Sequence, residues 1–361
     1  MRAAVLNEIP GNLEITDVET TAIGPNEVLI QTKAAGLCHS DLHFMEGKYP
    51  YFTPTVMGHE SAGIVEAVGE QVSYVQPGDH VITCLSVYCG ACEPCLTGHL
   101  TLCDDKESTQ RDMAGEQRLA LPDGSPVWQF LDMSSFAEQM LIHEHGLVKI
   151  DKDMPLDRAA LIGCGVTTGL GAVFNTAGVR PGETVAVIGC GGIGLNAIQG
   201  ARIAGAGRII AIDMLDNKLE LAKDFGATDT INGGATDAVM AVQEMTKGGV
   251  HYAFEAIGLA ATAQQAYSML RKGGTAVVIG MIPVGESVSI HGAELLYEKT
   301  LTGSNMGSNR FRVDMPRYID LYLQGRLMLD ELVSQTITLD EINEGFDAMK
   351  QGSVARSVIT F

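Results

Sequence analysis

Two groups of side chains in this sequence have the residue types of metal sites. The first is a lobe spanning residues 89–103 with the pattern C-x2-C-x2-C-x7-C, formed by Cys89, Cys92, Cys95 and Cys103. Such a loop can place four thiolates around one tetrahedral zinc ion, and disulfides or unconnected thiols are the alternatives. Because four cysteine ligands leave no coordination position open to a substrate, we predict a structural zinc here.

The second group is scattered along the chain and consists of Cys38, His59 and Cys164. A lone buried cysteine is usually a small hydrophobic residue, so each position alone says little. Two thiolates and one imidazole, however, leave a fourth position for water or substrate, and this ligand set is known from catalytic zinc sites. We therefore predict a catalytic zinc. Glu60 follows His59 directly and is either a carboxylate that supports the zinc ligands or a solvated acid.

Two further residues near Cys38 have side chains that can transfer protons. Ser40 lies two residues beyond Cys38, and His43 follows three residues later. The serine hydroxyl would reach a substrate oxygen held at the zinc, and His43 would pass the proton to solvent. Turn chemistry and surface exposure are the alternative explanation, because serine and aspartate are also good helix caps.

A glycine cluster follows the apolar run Thr184–Ile188 and precedes a predicted helix. This is the context that a dinucleotide fingerprint requires, and Asp213 ends the next predicted strand, 24 residues after the first glycine. The Asp213 carboxylate would accept hydrogen bonds from a ribose 2′-hydroxyl and repel a 2′-phosphate, so we predict NAD rather than NADP. One alternative is that the glycines serve packing alone. For Lys218, a predicted ribose contact, the alternative is a position on a solvated helix face. The predicted cofactor-binding residues are Gly189, Gly191, Gly192, Ile193, Gly194, Asp213 and Lys218.

The hydrophobic pattern predicts the elements that position these side chains. Short β-like runs alternate with turns before the glycine cluster, which favours a small, mostly antiparallel β domain. The polar segment 104–127 has little periodicity and is expected to be a surface excursion. From about Arg180, strands and helices alternate, which predicts a doubly wound parallel sheet and an α/β fold class. The last helices and the strand Ser357–Phe361 are expected to return to the first domain.

Composition narrows the possible partners. The chain has 361 residues and a formal net charge of −20, which argues against nucleic acid and anionic membranes because both attract basic surfaces. We find no apolar run near the roughly 18 residues that span a bilayer, and the first residues do not resemble a secretion signal. We therefore expect a cytoplasmic protein with a small-molecule substrate and without membrane partners.

Together these motifs resemble the zinc-dependent alcohol dehydrogenases of the medium-chain dehydrogenase/reductase superfamily, over essentially the whole chain. The resemblance implies a GroES-like catalytic domain in residues 1–165, a Rossmann NAD-binding domain in 166–306, and a segment 307–361 that completes the catalytic domain. It also implies NAD and two zinc ions per subunit. The matching residues are Gly36–Asp41, Gly58–Glu60, the four lobe cysteines, Gly163–Gly165 and the nucleotide fingerprint with Asp213.

The resemblance also implies roles for single residues. His39 and Arg356 would contact the cofactor pyrophosphate, Thr168 would pack beside the nicotinamide, and Ser40 and His43 would form a proton relay. An apolar substrate channel would be lined by Leu85, Phe130 and Leu131. The segment 104–127 is about as long as in dimeric members, which favours a homodimer over a tetramer.

The predicted reaction is the reversible oxidation of primary aliphatic, allylic or benzylic alcohols to aldehydes, with hydride transfer to NAD. One alternative is a dehydrogenase for a thiol-formaldehyde (S-hydroxymethyl) adduct. Glutathione-dependent members of the family carry an arginine four residues after the last lobe cysteine, where this chain has Glu107, so glutathione conjugates fit less well. A second alternative is a non-catalytic NAD-binding member of the superfamily, which the complete ligand set disfavours.

Overall fold

The computed structural model describes residues 1–111, 117–352 and 354–361. The chain forms two compact units, one made of residues 1–164 and 310–361 and the other of residues 165–309. The predicted domains change at 165/166 and at 306/307, so the compact units differ slightly from them. The predicted excursion 104–127 is described except for residues 112–116, which lie outside the described ranges.

The α-helices, in chain order, are α1 (His39–Met45), α2 (Glu93–Leu96), α3 (Leu156–Leu161), α4 (Thr167–Gly171), α5 (Gly192–Ile203), α6 (Asp216–Asp224), α7 (Ala238–Thr246), α8 (Ala260–Ser268), α9 (Phe311–Leu323) and α10 (Ile342–Lys350). The strands are β1 (Arg2–Leu6), β2 (Leu13–Asp17), β3 (Glu19–Thr20), β4 (Glu27–Gly36), β5 (Thr55–Val56), β6 (Ser61–Val68), β7 (His80–Thr83), β8 (Leu119–Ala120), β9 (Pro126–Gln129), β10 (Gln139–His143), β11 (Leu147–Ile150), β12 (Thr184–Ile188), β13 (Arg208–Asp213), β14 (Asp229–Asn232), β15 (Val250–Glu255), β16 (Leu270–Val278), β17 (Thr300–Gly303), β18 (Val333–Ile337) and β19 (Arg356–Thr360).

The first unit contains two sheets that are mostly antiparallel. One has the strand order β2-β1-β5-β9-β8-β3, and the other has the order β11-β7-β6-β4-β19-β18, with β10 also paired to β4. The last strand, β19, pairs with the end of β4 through Val358↔Gly36 and Ile359↔Ala35. The C-terminal segment therefore supports the strand that leads directly into Cys38.

The second unit contains a six-stranded parallel sheet with the order β14-β13-β12-β15-β16-β17. Its strands β12 and β13 are mostly buried apolar runs, as expected for the interior of a parallel sheet with covered faces. Strand order reverses between β12 and β15, and in such sheets ligands bind at the carboxyl ends of the strands beside this reversal. The predicted α/β class with a doubly wound parallel sheet is confirmed.

One helical stretch corrects an expectation from the sequence. Leu156–Ala177 is a 22-residue helix with a mean hydropathy of 1.3, and by length and composition alone it could cross a membrane. The sequence analysis found no such run. In the most apolar window of this stretch, 83% of the residues are buried inside the protein. Packing within the protein therefore accounts for its apolar surface, as in the core helix of a folded domain.

Glu27, the first residue of β4, is a buried carboxylate with two arginine partners. Its Oε2 accepts a hydrogen bond from Arg111 at 2.6 Å, and its Oε1 accepts one from Arg118 at 2.7 Å. Burial raises the pKa of Glu27, but the hydrogen bond from Arg111 and the charge of Arg118 outweigh it and lower the pKa to about 2. Ion pairs of Arg111 and Arg118 with Glu27 thus connect the segment before β9 to β4.

We expect Glu27→Gln to destabilise the protein in a pH-dependent way. A carboxyl group whose pKa falls on folding stabilises the native state above its unfolded pKa, here 4.5, and this contribution is lost as the pH falls toward about 2. At neutral pH the shift corresponds to about 3 kcal/mol. Urea unfolding of both proteins between pH 3 and 7 should show a constant gap above pH 5 that narrows below pH 4.5. A gap of equal size at pH 3 and pH 7, or an equal loss in the exposed Glu19→Gln control, would contradict this explanation.

Candidate metal and dinucleotide sites

Cys38, His59 and Cys164 come together although they are far apart in the sequence. Their ligand atoms all lie within 4.8 Å of one another, and all three side chains are buried. Cys38 is the N-cap of α1, and Cys164 lies in the π-helical segment Ile162–Val166. His59 follows Gly58, which has a φ of +92° and where a Cβ would lie 2.6 Å from the ring of Phe136. Glycine at this position lets the chain turn tightly enough to present His59.

The donor set of this cluster fits a zinc ion. The Nε2 atom of His59 is buried and has no hydrogen-bond partner among the described residues. Such an atom in a native core calls for an unseen ligand. A hydrogen bond with the Cys164 thiol and the nearby charges of His59 and Arg356 lower the pKa of the Cys38 thiol despite its burial. A thiolate beside an imidazole with a free acceptor is the chemistry that zinc requires.

A carboxylate that the sequence analysis did not select holds the histidine of this cluster. Asp41 is fully buried and lies 3.0 Å from Nδ1 of His59. Its other oxygen accepts a hydrogen bond from the backbone N–H of Cys38 at 3.2 Å. Metal-binding histidines usually donate their second ring N–H to such a carboxylate. The signal was present in the sequence, because a helix with Cys38 as its N-cap has Asp41 as its third residue, a position that commonly carries a capping side chain.

The structure excludes one of the two sequence-based alternatives for Glu60. It is fully buried, which excludes a solvated acid, and its Oε2 lies 3.4 Å from Nη1 of Arg356. Burial raises the pKa of Glu60 to about 7, although the charge of Arg356 opposes this shift. Arg356 is itself buried and also donates to the carbonyl of Leu37 at 3.1 Å. The predicted catalytic role of Glu60 and the predicted pyrophosphate contact of Arg356 stay predictions.

The remaining predicted residues near α1 have mixed environments. His39, the first residue of the helix, is exposed, whereas Ser40 is half-buried with its Oγ 3.5 Å from the Cys38 sulfur. His43 lies one helical turn later, and its Nδ1 is buried without a partner in the described part of the chain. Burial lowers the pKa of His43. Ser40 and His43 therefore share one face of α1, as a relay would require.

Phe130 is a predicted pocket residue that lies beside a ligand of the metal cluster. Its ring centroid is 5.8 Å from the His59 ring and 5.1 Å from that of Tyr51, a neighbour the sequence analysis missed. Leu131 is half-buried with a φ of +50°, a conformation that is strained for leucine and is often kept at functional sites. Leu85 packs partly buried against the core of the first unit. The substrate role of these three residues remains a prediction.

The four lobe cysteines also fit a zinc ion. All four sulfur atoms lie within 4.8 Å of one another, and the pairs Cys89–Cys95 and Cys92–Cys103 are 3.9 and 3.8 Å apart. Sulfur atoms at zinc distance in a tetrahedron are roughly 3.8 Å apart. The backbone N–H groups of Ala91 and Cys92 donate to the Cys89 sulfur, which favours a thiolate. The lobe therefore has the geometry of a closed structural site.

The glycine cluster after β12 has the shape of a dinucleotide site. A Cβ on Gly194 would lie 1.7 Å from the carbonyl oxygen of Gly189, so glycine is required for the strand-to-helix turn. A Cβ on Gly191, the N-cap of α5, would meet nothing within 4 Å. The backbone there is thus open to a ligand at the N-terminus of a 12-residue helix, where the next two residues are Gly192 and Ile193.

Asp213 has most of its acceptor capacity in use. Its Oδ1 accepts from the N–H groups of Met214 and Leu215, and its Oδ2 accepts from the N–H of Cys190 at 2.8 Å. A carboxylate offers about four acceptor positions, so one on Oδ2 is left for a ribose hydroxyl. Lys218 is half-buried in the first turn of α6. Thr168 is buried in α4, with its hydroxyl 3.5 Å from the sulfur of Met306.

Family models match both parts of the chain. Residues 24–152 match the alcohol dehydrogenase GroES-like domain, and residues 192–324 match the zinc-binding dehydrogenase family. The predicted GroES-like architecture beside a Rossmann sheet is thereby confirmed. So are the cofactors: NAD, a structural zinc at the four lobe cysteines and a catalytic zinc at Cys38, His59 and Cys164.

Known proteins resemble the chain over its full length. It is 37% identical to S-(hydroxymethyl)glutathione dehydrogenase of Paracoccus denitrificans, covering 100% of this chain and 99% of that one. It is 39% identical to the enzyme of the same name from Photobacterium damsela subsp. piscicida, over 97% and 96% of the two chains. The crystal structure of benzyl alcohol dehydrogenase from Acinetobacter calcoaceticus has a TM-score of 0.94 at 34% identity, covering 100% of this chain and 99% of that one.

These relatives contradict the main reaction predicted from the sequence. Primary alcohols were expected as substrates, but full-length curated relatives are S-(hydroxymethyl)glutathione dehydrogenases and class-3 alcohol dehydrogenases. The prediction was wrong because the zinc and NAD sites on which it rested are common to both reactions. The findings favour the thiol-adduct alternative instead, and the enzymatic names of the relatives do not favour a non-catalytic protein.

We expect Asp41→Asn to weaken the catalytic zinc site selectively. Asparagine has no negative charge and only one acceptor oxygen, so it cannot serve both the His59 ring and the N–H of Cys38 as Asp41 does. Loss of such a carboxylate partner costs roughly 10- to 100-fold in metal affinity. Competition with a chelator, followed by metal analysis, should show one zinc lost early and the other retained. In the matched Cys103→Ser variant the order should reverse, with the lobe zinc lost first. Equal zinc release from wild-type and Asp41→Asn protein would refute a supporting role for Asp41.

Proposed function

Because this chain belongs to the zinc-dependent alcohol dehydrogenases of the medium-chain dehydrogenase/reductase superfamily, and is thus a zinc-dependent NAD oxidoreductase, we propose that it oxidises the S-hydroxymethyl adduct of formaldehyde with a thiol. The observation that carries this proposal is the full-length similarity to S-(hydroxymethyl)glutathione dehydrogenases, at 37–39% identity.

The reaction converts the S–CH2–OH group into an S-formyl thioester. The carbon loses a hydride, the hydroxyl loses a proton, and the carbon–oxygen single bond becomes a carbonyl. When bound, zinc supplies a Lewis acid for the hydroxyl oxygen and NAD supplies the hydride acceptor. The protein's own contribution is to hold the adduct and to move one proton.

We assign the proton transfer to Ser40 and His43. The Ser40 hydroxyl lies 3.5 Å from the sulfur of Cys38, a zinc ligand, which supports a role as first acceptor of the substrate proton. His43 follows on the same face of α1, and its buried Nδ1 has no other partner in the described residues. Burial lowers the pKa of His43, which favours the neutral imidazole, the form that accepts a proton.

We assign cofactor binding to the residues that the fingerprint and the family resemblance predict. The glycine cluster would hold the pyrophosphate, Oδ2 of Asp213 would accept from a ribose hydroxyl with Lys218 as a further ribose contact, and Thr168 would pack beside the nicotinamide. The resemblance also implies that His39 and Arg356 contact the pyrophosphate. Arg356 is always charged, and burial beside Glu60 fixes its orientation.

The charge at one exposed position distinguishes between possible thiol carriers of formaldehyde. Glu107 lies exposed on the short 3-10 helix Lys106–Thr109, at the position where glutathione-dependent members of the family carry an arginine. A carboxylate there repels the carboxylates of glutathione. We therefore propose that the preferred carrier is a thiol with less negative charge than glutathione.

The first test is NAD reduction by purified enzyme with formaldehyde plus glutathione, formaldehyde plus the neutral thiol 2-mercaptoethanol, formaldehyde alone, hexanol and benzyl alcohol. We expect both adducts to exceed the alcohols in kcat/KM, with the neutral adduct preferred. Glu107→Arg should raise kcat/KM for the glutathione adduct about fivefold, since a surface charge pair is worth up to about 1 kcal/mol.

Glu93→Arg is the matched control, because it reverses an exposed charge on α2 of the same lobe. An equal gain in this control would mean that net charge rather than position 107 governs selectivity. Alcohols oxidised faster than every adduct would overturn the proposed function itself.

We also propose that the enzyme is a cytoplasmic homodimer. A reducing compartment provides free thiols for the adduct and keeps the eight cysteines reduced. Two observations support the proposed dimer. Strand β17 is an edge strand of the parallel sheet. The 3-10 helix Gly292–Tyr297, which precedes β17, exposes Leu295, Leu296 and Tyr297. Exposed apolar side chains beside an open strand edge favour pairing with a second copy.

We expect Leu296→Lys to convert the dimer into monomers. The side chain of Leu296 is 87% exposed in the single chain, and a charge buried at a symmetric interface faces its own copy. Light scattering after size exclusion should report half the wild-type mass. Leu323→Lys, an equally apolar exposed position on α9, should leave the mass unchanged. A wild-type chain that is monomeric or tetrameric at micromolar concentration would reject the proposal.

A further inference from the structure

The loop after β15 is held by a buried carboxylate that none of the roles above uses. Glu255 ends this strand and is fully buried. Its Oε1 accepts hydrogen bonds from the backbone N–H groups of Ile257 and Gly258, at 2.9 and 2.8 Å, and from the hydroxyl of Thr262 at 2.7 Å. Its Oε2 is also buried and has no hydrogen-bond partner among the described residues.

Stability alone does not explain this carboxylate. A buried polar atom without a partner costs free energy, and a buried charge costs more. All of the donors converge on Oε1, so Oε2 gains no compensation from the described residues. A group of this kind in a native core calls for a functional explanation.

Glu255 lies at the place in the sheet where a ligand is expected. It is the register partner of Ile188 in β12 and of Val278 in β16. It therefore ends the strand beside the reversal of strand order, next to the strand that leads into the glycine cluster. Ligands of open α/β sheets bind outside the carboxyl ends of the strands at this point.

The turn that Glu255 holds is packed directly against the loops on both sides. A Cβ on Gly189 would lie 2.6 Å from Cγ1 of Ile257, and a Cβ on Gly280 would lie 2.1 Å from the backbone nitrogen of Gly258. The same Cβ on Gly280 would lie 2.6 Å from Oε2 of Glu255. A shift of the turn would thus disturb the glycine cluster, whereas the side chain of Ile257 remains 42% exposed.

We propose that Glu255 is a positioning residue for NAD. Its Oε1 fixes the Ile257–Gly258 turn, and through the contact between Ile257 and Gly189 it fixes the surface of the glycine cluster against which the dinucleotide binds. The proposal concerns NAD binding and is independent of the thiol-adduct substrate, so failure of either one leaves the other standing.

The test is NADH binding to Glu255→Ala and Glu255→Gln, measured by fluorescence on the purified zinc-loaded protein. We expect the alanine variant to bind NADH about tenfold more weakly or worse, because the turn is no longer pre-organised. The glutamine variant keeps an acceptor at Oε1 and should restore most of the affinity. In turnover assays the alanine variant should raise KM for NAD while KM for the carbon substrate stays unchanged.

Val242→Ala is the control for general destabilisation of the second unit. Val242 is a residue of α7 and is fully buried in the core of the second unit. Its truncation should lower the melting temperature without changing the dissociation constant for NADH. Affinity in Glu255→Ala within twofold of wild type would overturn the proposal. So would an equal loss of affinity in the Val242→Ala protein at the same loss of melting temperature.

Discussion

The hydrogen bond between Asp41 and His59 is the interaction on which the metal site depends. The carboxylate joins two ligands, since one oxygen meets the His59 ring and the other accepts from the N–H of Cys38. With Nδ1 occupied, Nε2 is the atom that faces the sulfur atoms. The surrounding elements make this contact possible: β19 supports β4 up to Gly36, and the left-handed conformation of Gly58 turns His59 toward the helix.

Buried and half-buried carboxylates hold together several parts of this strongly acidic chain. Glu27 fastens a segment to β4 through two arginines, Glu60 holds the guanidinium of Arg356, and Asp213 gathers backbone N–H groups around the glycine cluster. Each compensates for lost hydration with charge-assisted hydrogen bonds, which are stronger than neutral ones. Glu255 and Glu60 each keep one buried oxygen without a hydrogen-bond partner among the described residues, but the partners of Glu255 are backbone N–H groups and a hydroxyl rather than a guanidinium.

The parts of the site that follow from local spacing could be predicted from the sequence. The four lobe cysteines lie within 15 consecutive positions, so a single loop must bring them together. The dinucleotide fingerprint is similarly local, because a strand, a tight turn and a helix determine where Gly189, Gly194 and Asp213 lie. Cys38, His59 and Cys164 required knowledge of a ligand set, because no local rule brings three distant elements together.

Other parts could not be read from the sequence because neighbouring residues in a chain need not face the same way. Glu60 is adjacent to His59, yet its carboxylate meets Arg356, while Asp41, 18 residues before His59, meets the imidazole. The helix Leu156–Ala177 was missed for a different reason: glycines and threonines interrupt its apolar residues, and only a continuous helix with π-helical turns joins them.

The substrate was mispredicted because the reacting atoms of the two candidates are alike. An alcohol and an S-hydroxymethyl adduct both present a CH–OH group, from which a hydride and a proton leave, so the same zinc ligands and the same dinucleotide site serve both. Selectivity must then come from residues that touch the rest of the substrate. Glu107 is exposed and distant in sequence from every predicted zinc ligand outside the lobe, and a single surface charge changes binding only modestly. A residue of this kind can change the preferred thiol carrier without changing the reaction, which is why similarity over the whole chain is a better guide to the chemistry than any one position.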